Sequence, residues 1–234
     1  MKIGIRKEDK NIWEARVPLV PEQVASLIGD EIEVAVQSSD IRAFSDQQYL
    51  DVGASIVPEI PDAPVVFAVK EIPTELLQPH RTYLYFAHVI KGQAYNMEML
   101  QRLLDLEATL IDYERIVDDE GRRLIFFGRH AGLAGMIDTL WALGRRLKVE
   151  GFDTPFAEIV QAKDYPNLDA AKAAVRQVGE AITQTPLASE LTPMVFGFAG
   201  YGHVSKGAQE ILDLLPHEQI EPADLMGLDP STPG

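Results

Sequence analysis

The chain is 234 residues long, 46% hydrophobic and 24% charged, a globular composition sufficient for one large domain or two small ones. Its 36 acidic and 21 basic side chains leave a net charge of −15, which opposes binding to phosphate backbones and anionic lipid. The absence of cysteine rules out a disulfide framework, a thiolate metal site and a cysteine nucleophile, so any redox step needs a bound cofactor.

The first residues, MKIGIRKEDK, lack the apolar core of a secretory signal, and no stretch approaches the roughly 20 apolar residues of a membrane span, so a cytoplasmic protein is expected. Short β-branched runs at 2–5, 32–36, 55–57, 64–69, 83–87 and 109–113 read as strands. Helical patterns lie between them at 21–28 and 93–106. Pro21 suits a first helical turn, and Ser45 with Gln48 has the capping-box form that starts a further short helix. The alternation predicts a parallel sheet covered on both faces, an α/β Rossmann-like domain. Asp118 to Gly121 reads as a hairpin turn with 124–127 as the returning strand. A long helix is expected over 130–148, a linker over 152–165 and an alanine-rich helix over 168–182. Met194 to Ala199 then reads as a buried strand leading into a glycine turn and a helix. That is the opening of a second, dinucleotide-binding Rossmann domain, whose remaining strands are expected beyond Gly234. The expected domains are residues 1–150 for substrate and catalysis, 151–192 for a linker and connecting helix, and 193–234 for the incomplete nucleotide domain.

In an open parallel sheet, ligands bind beyond the carboxyl ends of the strands. The sequence places titratable residues there repeatedly: Lys70, His88 and Glu114 each follow a strand run. One such charge is ordinarily a solvated strand end, whereas three together point to a cleft floor. A half-buried lysine loses affinity for its proton and an imidazole titrates near neutrality, so Lys70 and His88 suit acid and base steps at a carbon being reduced or oxidised. Past the first strand, Arg16 offers a guanidinium able to grip a carboxylate through two parallel hydrogen bonds; the alternative is an ion pair with Glu14 or Glu8. Lys91 is either a second anion contact or the start of a solvated helix. The small residues of 127–132 (FGRHAG) either present backbone donors at a helix N-terminus or serve helix packing.

Gly200 and Gly202 fit the first two places of a dinucleotide fingerprint, with Ser205 at the third. His203 and Val204 open the helix on whose N-terminus a pyrophosphate would lie. Glu221 stands where an acidic side chain accepts from a ribose hydroxyl, and NAD and NADP both stay open. The histidines show no metal-binding spacing, and no metal is expected.

Taken together, the segments 5–9 (IRKED), 13–19 (WEARVPL), 69–73 (VKEIP), 86–93 (FAHVIKGQ), 111–114 (IDYE), 127–135 (FGRHAGLAG) and 200–209 (GYGHVSKGAQ) resemble one family. It is the lysine–2-oxoglutarate reductase portion of the bifunctional aminoadipic semialdehyde synthases, related to lysine-forming saccharopine dehydrogenase and more distantly to alanine dehydrogenase and transhydrogenase. The resemblance implies an NAD(P)-dependent oxidoreductase that condenses lysine with 2-oxoglutarate to give saccharopine, or runs the reverse. It implies Lys70 and His88 as the acid–base pair and places Glu14 and Arg16 close to the substrate; Lys91 and Glu114 complete the expected substrate contacts. It also implies fusion to, or association with, a glutamate-forming saccharopine dehydrogenase domain. The competing readings are an alanine-dehydrogenase-like amino acid oxidoreductase and a non-catalytic substrate-binding or regulatory domain.

Overall fold

The computed structural model describes residues 1–228 and divides the chain into two compact units, Met1–Phe126 and Phe127–Gly234. The division precedes the boundary expected at residue 150, because the long helix packs its apolar residues into the core of the second unit.

The first unit is a six-stranded sheet in the order β3-β2-β1-β4-β5-β6, formed by β1 (Lys2–Ile5), β2 (Glu33–Gln37), β3 (Ser55–Val57), β4 (Val65–Phe67), β5 (Thr82–Tyr85) and β6 (Thr109–Asp112). Every pairing is parallel, as the strand–helix alternation predicts. On β1, Ile3 lies beside both Val34 and Val65, so this strand sits at the centre of the sheet. Odd positions of β1 and β4 face one side, where Ile3, Ile5 and Val34 pack with Val24 of α1 (Pro21–Gly29) and Tyr49 of α2 (Asp46–Asp51). Even positions face the other, where Val66 and Tyr83 pack with Met99 and Leu103 of α3 (Ala94–Asp105). Connections leave β1 and β4 toward opposite faces, which opens a crevice at the carboxyl ends of those two neighbours. Local rules act as expected: Pro21 is the first residue of α1, and the Ser45 hydroxyl accepts from the Gln48 amide while the Gln48 side chain accepts from Ser45 N–H at 2.8 Å.

The turn at Asp118–Gly121 closes a single antiparallel bridge, Val117 to Arg123, but residues 124–127 form no strand. One bridge gives that segment no further ladder partner.

In the second unit, α4 (Gly128–Val149), α5 (Leu168–Gln184) and α6 (His203–Leu212) enclose a core of Leu133, Ile137, Leu140, Val175, Val178 and Ile211. The unit has no strand among its described residues, so the strand expected at 194–199 is absent. Its sequence pattern is nevertheless expressed: Met194, Phe196 and Phe198 lean on the core while Val195, Gly197 and Ala199 are exposed. This is a strand's side-chain alternation without a neighbour to complete the ladder.

Two glycines of FGRHAGLAG, Gly128 and Gly132, serve helix packing, while a methyl at Gly135 would meet nothing within 4 Å. A methyl added at Gly132 would lie 2.0 Å from the Val204 carbonyl oxygen of α6, and one at Gly207 would lie 2.1 Å from the Arg129 carbonyl of α4. Glu210 reinforces the seam by accepting from Arg129 at 2.7 and 2.8 Å and from Lys172 of α5 at 2.5 Å. Those cations, Arg129 first, hold its carboxyl down to about 2. Gly132→Ala should cost about 1–3 kcal/mol, the usual penalty of overpacking a tight contact, read as a lower denaturant midpoint. An unchanged midpoint would show that the seam yields freely.

Candidate active site

Sheet geometry brings Glu14, Arg16, Lys70, His88, Lys91 and Glu114 to the carboxyl-end side of β1, β4, β5 and β6, all within the first unit. Glu114 is the organising group. It follows β6 in a single 3-10 turn, where the Asp112 carboxylate accepts from its amide at 2.9 Å and fixes the turn. Its side chain is 5% exposed, yet three groups converge on it: His88 Nδ1 at 3.0 Å, Lys91 Nζ at 3.0 Å and Arg123 Nη1 at 3.3 Å. Burial pushes the Glu114 carboxyl up, but the hydrogen bonds from Lys91 and His88 outweigh it and leave the group below the ordinary carboxylate range.

A carboxylate only accepts, so His88 Nδ1 carries the proton of this bond and Nε2 is the nitrogen able to take or give one. Lys91 Nζ, 3.5 Å from the same Nδ1, has its hydrogen bond to Glu114 instead. His88 reaches this place through a left-handed backbone (φ 55°), uncommon outside glycine, which turns the chain sharply after β5 into the Val89–Lys91 turn. Its ring stacks 6.2 Å from that of Phe86.

Arg16 is held by Glu14 through Nε to Oε1 at 2.7 Å and Nη2 to Oε2 at 2.6 Å, so the ion pair weighed from sequence is present. The pair takes two of the five N–H donors of a guanidinium. This bidentate bond, more than opposing burial, draws the Glu14 carboxyl below its ordinary value, and the charge of Lys70 adds to the effect. Lys70 is half-buried, and its amide donates to the Glu8 carboxylate.

Sequence reasoning gave no site role of their own to three groups. Glu8 is buried and accepts from the Val69 and Lys70 amides; burial pushes its carboxyl above the ordinary range even though both amides draw it down. Glu71 is pushed up by burial but ends lowered through Lys10, which donates to it at 2.7 Å and adds its charge. Arg123 joins Glu114 by way of the Val117–Arg123 bridge. Glu71 was legible as the neighbour of Lys70; the other two depend on turns that no sequence period announces.

In the second unit, Gly202 caps α6 and His203 and Val204 form its first turn. Gly200 has φ 87°, a conformation that suits glycine, and a methyl added at Gly200 or Gly202 would meet nothing within 4 Å. Glu221 is exposed, outside any helix or strand. No cluster of metal-ligating side chains occurs among the described residues, and none of their helices is long and apolar enough to cross a membrane.

Residues 4–134 match the model of the alanine dehydrogenase/PNT N-terminal domain. The chain belongs to this family. It is 41% identical over 223 residues to bovine alpha-aminoadipic semialdehyde synthase, mitochondrial, covering 95% of the chain and 24% of that protein. It is 32% identical over 228 residues to saccharopine dehydrogenase [NAD(+), L-lysine-forming] of Candida glabrata, covering 93% of the chain and 59% of the relative. A solved L-alanine dehydrogenase superposes with a TM-score of 0.52 at 26% identity, over 64% of the chain and 42% of that structure. The resemblance read from the sequence segments is thus found, and the chain spans about a quarter of the length of the bovine synthase, 24%.

The alanine dehydrogenase/PNT domain here carries carboxylates with displaced proton affinities, and these set an acid limit on its stability. A carboxylate lowered on folding stabilises the fold fully above its unfolded value, and that contribution is lost as pH falls through the folded value. For Glu14 the loss begins below 4.5. Glu14→Gln should therefore flatten part of the stability loss on acidification below pH 4.5, measured by denaturant unfolding across pH. A curve parallel to that of the parent protein would show that the Arg16 pair contributes nothing.

Proposed function

We propose that this domain condenses the ε-amine of L-lysine with the ketone of 2-oxoglutarate and takes part in reducing the resulting imine to saccharopine, or in the reverse reaction. The observation that carries the reading is the placement of Lys70 and His88 just past the carboxyl ends of the neighbouring strands β4 and β5, on the side of the sheet where Arg16, Lys91 and Arg123 are held by Glu14 and Glu114. Similarity to the synthases and to lysine-forming saccharopine dehydrogenase supports the choice of substrates.

Condensation needs a proton removed from the amine as it attacks and a proton delivered to the hydroxyl that leaves as water. His88, with Nδ1–H tied to Glu114, offers Nε2 for the first transfer. Lys70 delivers the second from its ammonium; loss of water leaves the imine nitrogen with its remaining proton, ready for reduction, and the proton taken up by His88 restores Lys70. Arg16 supplies a planar, oriented cation for a carboxylate of the keto acid, its plane set by Glu14. Lys91 and Arg123, already sharing Glu114, add positive charge for the second carboxylate.

A bound nicotinamide dinucleotide, NAD or NADP, supplies the hydride. The uncrowded glycines Gly200 and Gly202 lead into the N-terminus of α6 at His203 and Val204, which suits its pyrophosphate, and Glu221 is our candidate for a ribose hydroxyl. Saccharopine leaving the site is a substrate for a glutamate-forming dehydrogenase domain, which we infer to be fused to or associated with this one.

Calorimetric titration with saccharopine tests the reading directly, and lack of binding would defeat it. In turnover assays, Lys70→Met should lower kcat by about 10²–10⁴-fold, the usual worth of general acid–base catalysis, with dinucleotide affinity nearly intact. Near-normal kcat would remove Lys70 from the mechanism. Arg16→Lys keeps the charge but loses the fork, so KM for 2-oxoglutarate or lysine should rise; unchanged values for both would count against a carboxylate anchor.

A further inference from the structure

Glu8 lies on the segment that leaves β1 at the central crevice, is 6% exposed, and has no role in the steps just described. One carboxylate oxygen accepts from Val69 N–H at 2.7 Å and the other from Lys70 N–H at 2.9 Å. These are the amides that the sheet leaves over. Pairing of β1 with β4 ends at Ile5 and Phe67, extended only by Arg6 N–H donating to the Phe67 carbonyl at 2.9 Å. Ala68 N–H still finds the Leu84 carbonyl on β5 and the Val69 carbonyl accepts from Phe86 N–H, but the Val69 and Lys70 N–H groups have their partner in Glu8 and not in a strand.

Here the two adjacent N–H groups are each met by a separate acceptor atom of one rigid group, and among side chains only a carboxylate supplies two such atoms. A charged acceptor also makes each bond roughly twice as strong as a neutral one. The surrounding charges are those of Arg6 and Glu14 beside Glu8, with Arg16 and Tyr113 also within its field.

We propose that Glu8 is the positioning residue for Lys70: by clamping the Val69 and Lys70 amides it fixes the backbone from which the lysine side chain departs, and so sets where its ammonium stands. This assignment rests on the reading of Lys70 as the proton carrier. Glutamine in place of Glu8 keeps the length but presents an NH₂ to one of the two amides, breaking one bond and setting donor against donor. Aspartate keeps both oxygens and the charge but retracts them by one methylene.

The test compares the parent, Glu8→Gln and Glu8→Asp by kcat, by KM for lysine and 2-oxoglutarate, and by the titration of Lys70. The titration is followed by NMR of ¹³C-dimethylated lysines, assigned with Lys70→Arg. Glu8→Gln should lower kcat by up to about 10²-fold, the cost of displacing a catalytic group by ~1 Å, with KM little changed and the Lys70 titration shifted. Glu8→Asp should fall between Gln and the parent. Folded Glu8→Gln with parental kcat and parental Lys70 titration would overturn the assignment. If Glu8→Gln does not fold, Glu8→Asp decides by the same two readouts. A parent protein that forms no saccharopine defeats the proposed reaction alone, because a Lys70 titration moved by the Glu8 substitutions would still uphold the clamp.

Discussion

Because all six strands run parallel, their carboxyl ends share one edge, and at that edge the hydrogen-bond ladder runs out. The backbone there must find partners in side chains and turns or lose several kcal/mol per buried group. The chain meets that demand with acids. Glu8 takes the amides following β4, and Asp112 takes the amide of Glu114 following β6. The same requirement that completes the sheet therefore stocks its edge with carboxylates, and the carboxylates gather cations around them.

The direction in which each of the four glutamates at this edge shifts follows from what it faces. Burial raises proton affinity for each of Glu8, Glu14, Glu71 and Glu114. Glu14, Glu71 and Glu114 face full positive charges, from Arg16, Lys10 and Lys91 respectively, with a hydrogen bond from His88 added at Glu114, and these prevail. Glu8 is hydrogen-bonded to neutral amides, with Glu14 adding like charge, and burial prevails. The edge thus holds one carboxylate set apart from its neighbours by the kind of donor it has found.

Much of the sheet and its site was legible in the sequence because both depend on short-range pattern. Six β-branched runs, a proline at the start of α1 and the Ser45 capping box marked the first unit, and polar residues directly after strand runs marked the site. What escaped has a common cause in partners distant along the chain. The run at 194–199 has a strand's alternation, but a ladder also needs a neighbour, and its described surroundings are helical. Residues 124–127 have the composition of a returning strand and only one bridge behind them. Glu8 looked like one charge in a charged segment, since its partners lie more than sixty positions away (separations of 61 and 62). The glycines of α4 allowed two readings because close helix approach and ligand approach ask the same thing of a residue.

The contact between α4 and α6 has a mechanical side. Packed helices ordinarily slide past one another by small adjustments of the side chains between them. Around Gly132 and Gly207 nothing lies between: a methyl on either would run into the main chain of the other helix. A seam of backbone against backbone has no such bearings, so the two helices are bound to move as one piece. Any displacement of the turn at Gly200 to Gly202 that carries the start of α6 with it is then passed directly to the first turns of α4, without passing through the rest of the core.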